Sequence, residues 1–101
     1  MMELTLHVTY TARPGCREQF VRQIVTQGIL DAIRAEAGCL QYEYYFSTDR
    51  EEEILLVERW ESEVHQRAHM SQAHMAQLRV IKEACIEKVS LKKMQEEDYV
   101  L

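Results

Sequence analysis

Two histidines five positions apart are the first candidates for chemistry in this 101-residue chain. His69 and His74 lie in a segment with helical spacing, and a neutral imidazole can accept a phenolic or enolic proton near pH 7. On an uninterrupted helix, side chains five positions apart point in directions that differ by about 140°. Both can serve one site only if the helix breaks between them, and Ser71 is the expected position. We predict that both are catalytic, with His69 as the general base; the alternative is a structural histidine bonded to a helix end.

A third histidine extends this pattern toward the N-terminus. Glu61, His65 and His69 follow one another at four-residue steps, so they could lie along one helical stripe and offer zinc two imidazoles and a carboxylate. However, Glu61 falls where a strand is expected to end, and an HxxxH pair is common by chance on polar helices. We therefore predict no metal site, and we assign His65 to substrate binding.

An acidic residue and the single tryptophan share one face of a predicted strand. Glu58 and Trp60 alternate with Ile54 and Leu56, so the carboxyl group is buried if this face meets the helices. Burial would raise its pKa and favour a role as general acid or base, whereas an ion pair across the sheet is the structural alternative. We predict Glu58 as a catalytic residue and Trp60 as a wall of the binding site.

The preceding predicted strand, residues 39–47, is rich in aromatic residues. Tyr42 and Tyr44 lie on the same face, where their rings could stack on a flat substrate. Aromatic residues at this spacing also serve as core. We predict both tyrosines as substrate-binding residues.

These candidates must be positioned by elements that the periodicity predicts. Alternation predicts strands over residues 2–11, 39–47, 53–61 and 86–94, and helical spacing predicts helices over 14–37 and 63–86. Gly38 is expected to end the first helix as a left-handed cap, and Ser62 to cap the start of the second. The order β-α-β-β-α-β is that of an α+β, ferredoxin-like fold, with helices on one face of a four-stranded antiparallel sheet.

The helix-free face of such a sheet predicts a second copy of the chain. Leu55 and Val57 would lie there, so this face would expose apolar surface in a monomer. We expect a homodimer with this face covered by its symmetry mate. Residues 1–94 are predicted to form the domain, and residues 95–101 a C-terminal tail.

Composition narrows the class of protein. A hydrophobic fraction of 47% with 29% charged residues is typical of one globular domain, and the net charge of −5 argues against a nucleic-acid partner. No segment has the length and apolarity of a secretory signal or a membrane span, so we expect no membrane partner. Three widely spaced cysteines favour reduced thiols in the cytoplasm.

Three short segments carry a resemblance to a known family. Residues 38–42 (GCLQY), 58–60 (ERW) and 69–74 (HMSQAH) resemble the signature of the antibiotic biosynthesis monooxygenase domain, and the element order agrees over about 90 residues. The resemblance implies a dimeric α/β barrel, with a pocket between the sheet and the helices of each protomer. Members of this family include oxygenases of hydroquinones and polyketide phenols that use neither metal nor flavin, isomerases of a phosphorylated diketone and a haem-degrading branch.

The absence of asparagine separates this chain from part of that family. The haem-degrading branch uses an Asn, a Trp and a His, and the corresponding positions here are about Val8, His69 and Arg79. The polyketide-oxidising members also use an Asn beside the pocket Trp. We therefore expect no haem, and the resemblance transfers the polyketide mechanism only in part. We expect no other cofactor, because a chain of 101 residues leaves no room for a separate cofactor-binding domain.

The function predicted from the sequence is that of a cofactor-independent monooxygenase acting on a hydroquinone- or anthrone-like small aromatic compound. An isomerase or tautomerase of a small dicarbonyl compound is the alternative, since it needs the same base and no oxygen. A non-catalytic dimeric module that binds a small ligand is the third possibility.

Overall fold

Four strands form one antiparallel sheet in a computed structural model that describes residues 2–101. The elements in chain order are β1 (Leu4–Ala12), α1 (Arg17–Thr26), α2 (Ile29–Arg34), β2 (Cys39–Phe46), β3 (Glu53–Trp60), α3 (Glu63–Met70), α4 (His74–Cys85) and β4 (Ile86–Met94). The strand order across the sheet is β2-β3-β1-β4, and every neighbouring pair is antiparallel. The predicted α+β, ferredoxin-like class is confirmed.

The core lies between the sheet and the helices. The alternation that predicted the strands also selects the buried face, because successive side chains of a strand point to opposite sides of the sheet. On β1 and β3 this face is formed by Leu4, Leu6, Val8, Tyr10, Ile54, Leu56, Glu58 and Trp60, all of which are buried. The helices cover it with Phe20, Ile24, Ile29, Ile33, Met75, Leu78 and Ile81.

The prediction of one helix over residues 14–37 was wrong. The structure has two helices there, α1 and α2, and Gly28 stands between them with φ +75°. The apolar spacing continues through Gly28 because both helices pack on the same core, which concealed the break. Gly38 does have a positive φ, +80°, but α2 already ends at Arg34, so Gly38 shapes the turn into β2 and does not cap the helix.

The second helical region follows the prediction. The Ser62 side chain accepts a hydrogen bond from the His65 backbone N–H at 3.3 Å, and so caps the start of α3. Helix α3 ends at Met70 and α4 begins at His74, with Ser71 in the connection. The expected break near Ser71 is confirmed.

The helix-free face is less apolar than expected. Leu55, Val57 and Tyr45 form a small apolar centre there, and the β1 residues that share the face are threonines and His7. Each of Leu55 and Val57 is only partly exposed. The apolar surface of this face is therefore a strip in the middle of the sheet rather than a continuous patch.

Strand β4 forms one edge of the sheet and pairs with β1. Leu91 lies opposite Val8, and Val89 lies opposite Tyr10, so both side chains point to the side of the sheet that carries the helices. Even so, Leu91 is 61% exposed and Val89 is 59% exposed. Residues 95–101 contain no helix or strand. Within residues 2–101 the longest helix, α4, has 12 residues, fewer than a bilayer crossing requires.

Candidate active site

A buried carboxylate joins the two histidines that the sequence singled out. Glu36, in the turn between α2 and β2, lies 3.0 Å from His69 Nδ1 and 2.6 Å from His74 Nε2, both distances measured to its Oε2. Its side chain is 8% exposed and that of His69 only 1%. We refer to Glu36, His69 and His74 as the histidine cluster. The cluster joins two helices to the turn that begins β2.

Local structure explains how both histidines reach one carboxylate. His69 lies in the last turn of α3 and His74 is the first residue of α4, so the break between the helices removes the divergence that one continuous helix would impose. The Gln72 N–H donates to the His69 carbonyl at 3.1 Å, and this bond keeps the connection tight. The turn with Glu36 is closed by the Cys39 N–H, which donates to the Glu36 carbonyl at 3.2 Å.

His65 lies beside this turn and not within the histidine cluster. Its Nδ1 is 2.7 Å from Ser62 Oγ, and its Nε2 is 3.9 Å from a Glu61 carboxylate oxygen. The ring packs so closely on Gly38 that a Cβ at that position would overlap it. The structure therefore gives His65 a contact that positions the turn, and its predicted substrate-binding role stays a prediction.

The stripe Glu61, His65 and His69 does not converge on a common point, because His69 Nδ1 is directed to Glu36 and His65 Nδ1 to Ser62. Within residues 2–101 no group of three or more His, Cys, Asp or Glu side chains is arranged to hold a metal ion.

Glu58 and Trp60 form a second buried polar pair next to the cluster. The indole Nε1–H donates to Glu58 Oε1 at 3.1 Å. Burial raises the pKa of Glu58, and the Trp60 hydrogen bond, His69 and Lys82 oppose that shift only in part. The direction that the sequence predicted is confirmed. Glu58 therefore keeps its proton to a higher pH than an exposed glutamate.

Aromatic rings continue from His69 across the inner face of the sheet. Trp60 packs on the His69 ring with centroids 4.7 Å apart, and Tyr42 lies 5.6 Å from the same ring. Beyond them runs a row of contacts that we call the aromatic row: Tyr42 to Tyr44 at 5.9 Å, Tyr44 to Phe20 at 5.9 Å and Phe20 to Tyr10 at 5.6 Å. The row links the histidine cluster with the first turn of α1, where Phe20 lies.

The three phenol groups of the aromatic row lie in buried surroundings. Burial raises the pKa of Tyr10, Tyr42 and Tyr44, so all three remain protonated at neutral pH. The Tyr44 hydroxyl is buried and interacts with the Tyr42 hydroxyl, but it makes no well-formed hydrogen bond within residues 2–101. A buried hydroxyl without a well-formed hydrogen bond costs roughly 1–3 kcal/mol, so this group is a candidate for bonding a ligand oxygen.

Lys82 stands at the other end of the aromatic row. This half-buried lysine, on α4, has its Nζ 5.5 Å from the centroid of the Tyr10 ring. Burial lowers the pKa of Lys82, while the nearby Glu58 carboxyl opposes that shift. The sheet–helix interface thus has a carboxylate with two imidazoles at one end and an ammonium group at the other.

The space between the sheet and the helices is filled by these side chains. Three of the surface depressions are not lined by His69, Glu58 or Trp60. One of about 460 Å³ lies beside β2, where it is lined by Arg34 and by residues 39–43, and it shares Tyr42 with the site. Trp60, His69 and Tyr42 pack directly on one another and are each at most 2% exposed, so the expected pocket is not open to solvent at these residues.

Sequence reasoning brought forward six of the side chains found together here, namely His69, His74, Glu58, Trp60, Tyr42 and Tyr44, and it missed Glu36 and Lys82. Glu36 stands two positions before Gly38, so an acidic residue just before the first resembling segment was an available signal. Lys82 follows Leu78 by four positions and therefore shares its helix face, which points inward. A charged residue on an apolar helix face was the signal for Lys82.

Comparison with solved structures gives matches over almost the whole chain. The protein PA3566 of Pseudomonas aeruginosa is 26% identical, with a TM-score of 0.83 over 97% of each chain. Rv0793 of Mycobacterium tuberculosis is 23% identical, with a TM-score of 0.78 over 98% of this chain and 99% of that one. A candidate antibiotic biosynthesis monooxygenase of Nitrosomonas europaea is 18% identical, with a TM-score of 0.80 over 93% and 89%. The last two likenesses, at lower identity, concern the fold alone.

Sequence comparison identifies the family. No protein with a curated functional description matches the chain significantly. Residues 4–80, which extend from β1 through most of α4 and include every member of the histidine cluster, match the model of one family. The chain therefore belongs to the antibiotic biosynthesis monooxygenase family.

Proposed function

We propose that this protein is a cofactor-independent monooxygenase that oxidises a hydroquinone- or anthrone-like aromatic compound with dioxygen. The observation that carries the proposal is the hydrogen bond between His69 Nδ1 and the buried Glu36 carboxylate, next to an interior lined by aromatic rings. Family membership supports the reaction class. The substrate class comes from the aromatic surroundings of the base.

The carboxylate sets the state of the imidazole. If Glu36 is ionised, its carboxylate can only accept hydrogen bonds, so His69 Nδ1 would donate to it and Nε2 would keep its lone pair. A base oriented in this way can take a phenolic or enolic proton, and Glu36 stabilises the imidazolium ion that results. Glu36 also binds His74 Nε2, so we assign His74 to positioning the carboxylate.

The other side chains of the site would bind and stabilise the substrate anion that forms when His69 takes the proton. Tyr42 and Trp60 flank His69 and would stack on a flat ring, and the buried Tyr44 hydroxyl would donate to a substrate oxygen. With its raised pKa, Glu58 would be the acid that returns a proton. For an anthrone, the carbanion gives one electron to dioxygen, and the radical pair combines at carbon. The peroxide then loses water, so that CH₂ and O₂ become C=O and H₂O.

The site must open for a substrate to enter, and the fluorescence of the single tryptophan, Trp60, can detect that opening. Trp60 is fully buried against His69, so a ligand that displaces this contact will change the indole fluorescence. A panel of hydroquinones and anthrones should therefore include a compound that alters Trp60 fluorescence in a saturable manner. The same compound should give enzyme-dependent oxygen uptake without any added cofactor.

The decisive variant is His69→Ala, tested for oxygen uptake with that compound. Loss of a general base should lower kcat by roughly a hundredfold or more, since general base catalysis contributes on the order of 10²–10⁴. His65→Ala is the comparison variant, because it removes a histidine of the same helix that lies outside the histidine cluster. In its predicted substrate-binding role, His65→Ala should raise KM and leave kcat nearly unchanged. Equal losses in both variants would contradict the assignment of the base.

Oxygen itself separates the proposed reaction from its alternatives. An isomerase would interconvert a diketone or enol substrate under anaerobic conditions and would never consume oxygen. Ligand binding without turnover would leave a non-catalytic binding module. Either result would overturn the monooxygenase proposal.

We also propose that the protein is a cytoplasmic homodimer in which the strip formed by Leu55, Val57 and Tyr45 is covered by a second copy. Light scattering at micromolar concentration should give twice the chain mass of 11.9 kDa. Val57→Asp should give the monomer mass, because an unpaired charge buried at an interface costs several kcal/mol. A monomer mass for the unsubstituted protein at all concentrations would contradict the dimer.

A further inference from the structure

Cys16 and Cys85 come together where the start of α1 meets the end of α4. Cys16 precedes the first residue of α1, and Cys85 is the last residue of α4. The Arg13 N–H donates to the Cys85 carbonyl at 2.8 Å, and the Cys16 N–H donates to the Arg13 carbonyl at 2.9 Å. Two successive backbone hydrogen bonds therefore connect the two cysteines, although they stand far apart in the sequence.

The two thiols interact with each other and differ in their access to solvent. Cys16 is partly exposed and packs against the core, whereas Cys85 is buried. Burial raises the pKa of Cys85, and the adjacent Cys16 thiol raises it further. This asymmetry fits a pair in which solvent oxidants reach one thiol and the other thiol resolves the product.

We propose that Cys16 and Cys85 are a redox-active pair that forms a reversible intramolecular disulfide between the start of α1 and the end of α4. The oxidant is a peroxide. The Cys16 sulfur attacks the peroxide O–O bond, so that Cys16 becomes a sulfenic acid and the other oxygen leaves as water or alcohol. The Cys85 sulfur then attacks the Cys16 sulfur, the S–S bond forms, the S–O bond breaks, and the oxygen leaves as water with the Cys85 proton.

The bond would act on the helix that covers the candidate site. Phe20 of α1 packs on both Tyr10 and Tyr44, so α1 covers part of the aromatic row. A disulfide would hold α1 against α4 and close a loop of most of the chain, which reduces the conformational entropy of the unfolded state. The oxidised protein should therefore be the more stable form.

Peptide mapping tests the pairing in the full chain. Trypsin releases Cys16 in residues 1–17, since the Arg13–Pro14 bond resists cleavage, Cys85 in residues 83–88 and Cys39 in residues 35–50. After hydrogen peroxide treatment of the folded protein, we expect residues 1–17 joined to residues 83–88, with the loss of two hydrogens, and separation of the two by dithiothreitol. The melting temperature should rise by roughly 5–15 °C on oxidation.

Three variants complete the test. Cys16→Ser, at the partly exposed position, should abolish the cross-link and the gain in melting temperature, and Cys85→Ser should do the same if it folds. Cys39→Ser should leave both unchanged. Unmodified thiols after peroxide, sulfinic acid at Cys16 beside a free Cys85, a cross-link to residues 35–50, or a cross-link between two chains would each overturn the proposal.

Discussion

Strand β3, inside the sheet, and strand β4, at its edge, are packed very differently. Trp60 of β3 and the His69 ring that packs on it are almost completely excluded from solvent, whereas Val89 and Leu91 on β4 are more than half exposed. Trp60, Val89 and Leu91 all point toward the side of the sheet that bears the helices. The difference arises because the helices lie over β1, β2 and β3 and leave the outer edge uncovered. The candidate site is thus buried within one chain, whereas Val89 and Leu91 on β4 are left exposed.

The largest expected effect on the free energy of unfolding comes from truncating the buried side chain Trp60. Trp60→Ala should lower the free energy of unfolding by roughly 3–5 kcal/mol, because truncating a buried aromatic side chain leaves a cavity. Leu91→Ala on β4 should lower it by less than about 1 kcal/mol. Urea denaturation of both variants measures the difference. A cost for Leu91→Ala that grows with protein concentration would show that a second copy covers β4.

Two glycines with similar backbone angles sharpen the comparison. Gly38→Ala should lower the free energy of unfolding by roughly 2–4 kcal/mol, because φ is +80° and the new Cβ would overlap the His65 ring. Gly15→Ala, at φ +78° with no atom within 4 Å of its new Cβ, should cost only about 1 kcal/mol. Thermal unfolding of the two variants compares Gly38, which packs against the His65 ring beside the candidate site, with Gly15, which lies in an open turn. Equal costs would mean that the His65 ring moves aside.

The buried carboxyl group of Glu58 predicts a pH dependence of stability. Because its pKa is raised in the folded protein, the fold binds this proton more tightly than the unfolded chain does. The resulting stabilisation is fully present below the ordinary value of 4.5 and is lost as the pH rises through the raised pKa. The stability of the unsubstituted protein relative to Glu58→Gln should therefore fall from pH 4 upward. Glu97→Gln, in the exposed tail, should show no such trend.

The smallest effect is expected at the C-terminus. Deleting residues 95–101 should change the free energy of unfolding by less than about 1 kcal/mol, since the tail has no regular structure and its Glu96 makes only an exposed ion pair with Arg59, at 3.7 Å. Chemical denaturation of the truncated chain also tests the prediction that residues 1–94 form the domain. Failure of the truncated chain to fold would contradict that boundary.

Local signals were sufficient for most of the elements. Strand β4 was predicted from alternation alone, and the break between α3 and α4 was predicted from Ser71 and from the spacing of His69 and His74. These predictions succeeded because they depend on residues close in the sequence, such as the Ser62 side chain and the His65 N–H that it binds. Gly28 was the exception, because an apolar pattern that continues across a glycine conceals the break.

The sequence by itself determined the sheet, its buried face and the types of side chain available for proton transfer, since a strand's alternation and a helix's spacing are local properties. Only the tertiary structure decided which groups meet. Glu36 is 33 positions from His69 and 38 from His74, and its contact with both follows from how α3 and α4 pack beside the turn before β2. Cys16 and Cys85, and Lys82 and Tyr10, are likewise brought together by packing alone, because contacts between distant residues depend on how whole elements fit and leave no period in the sequence.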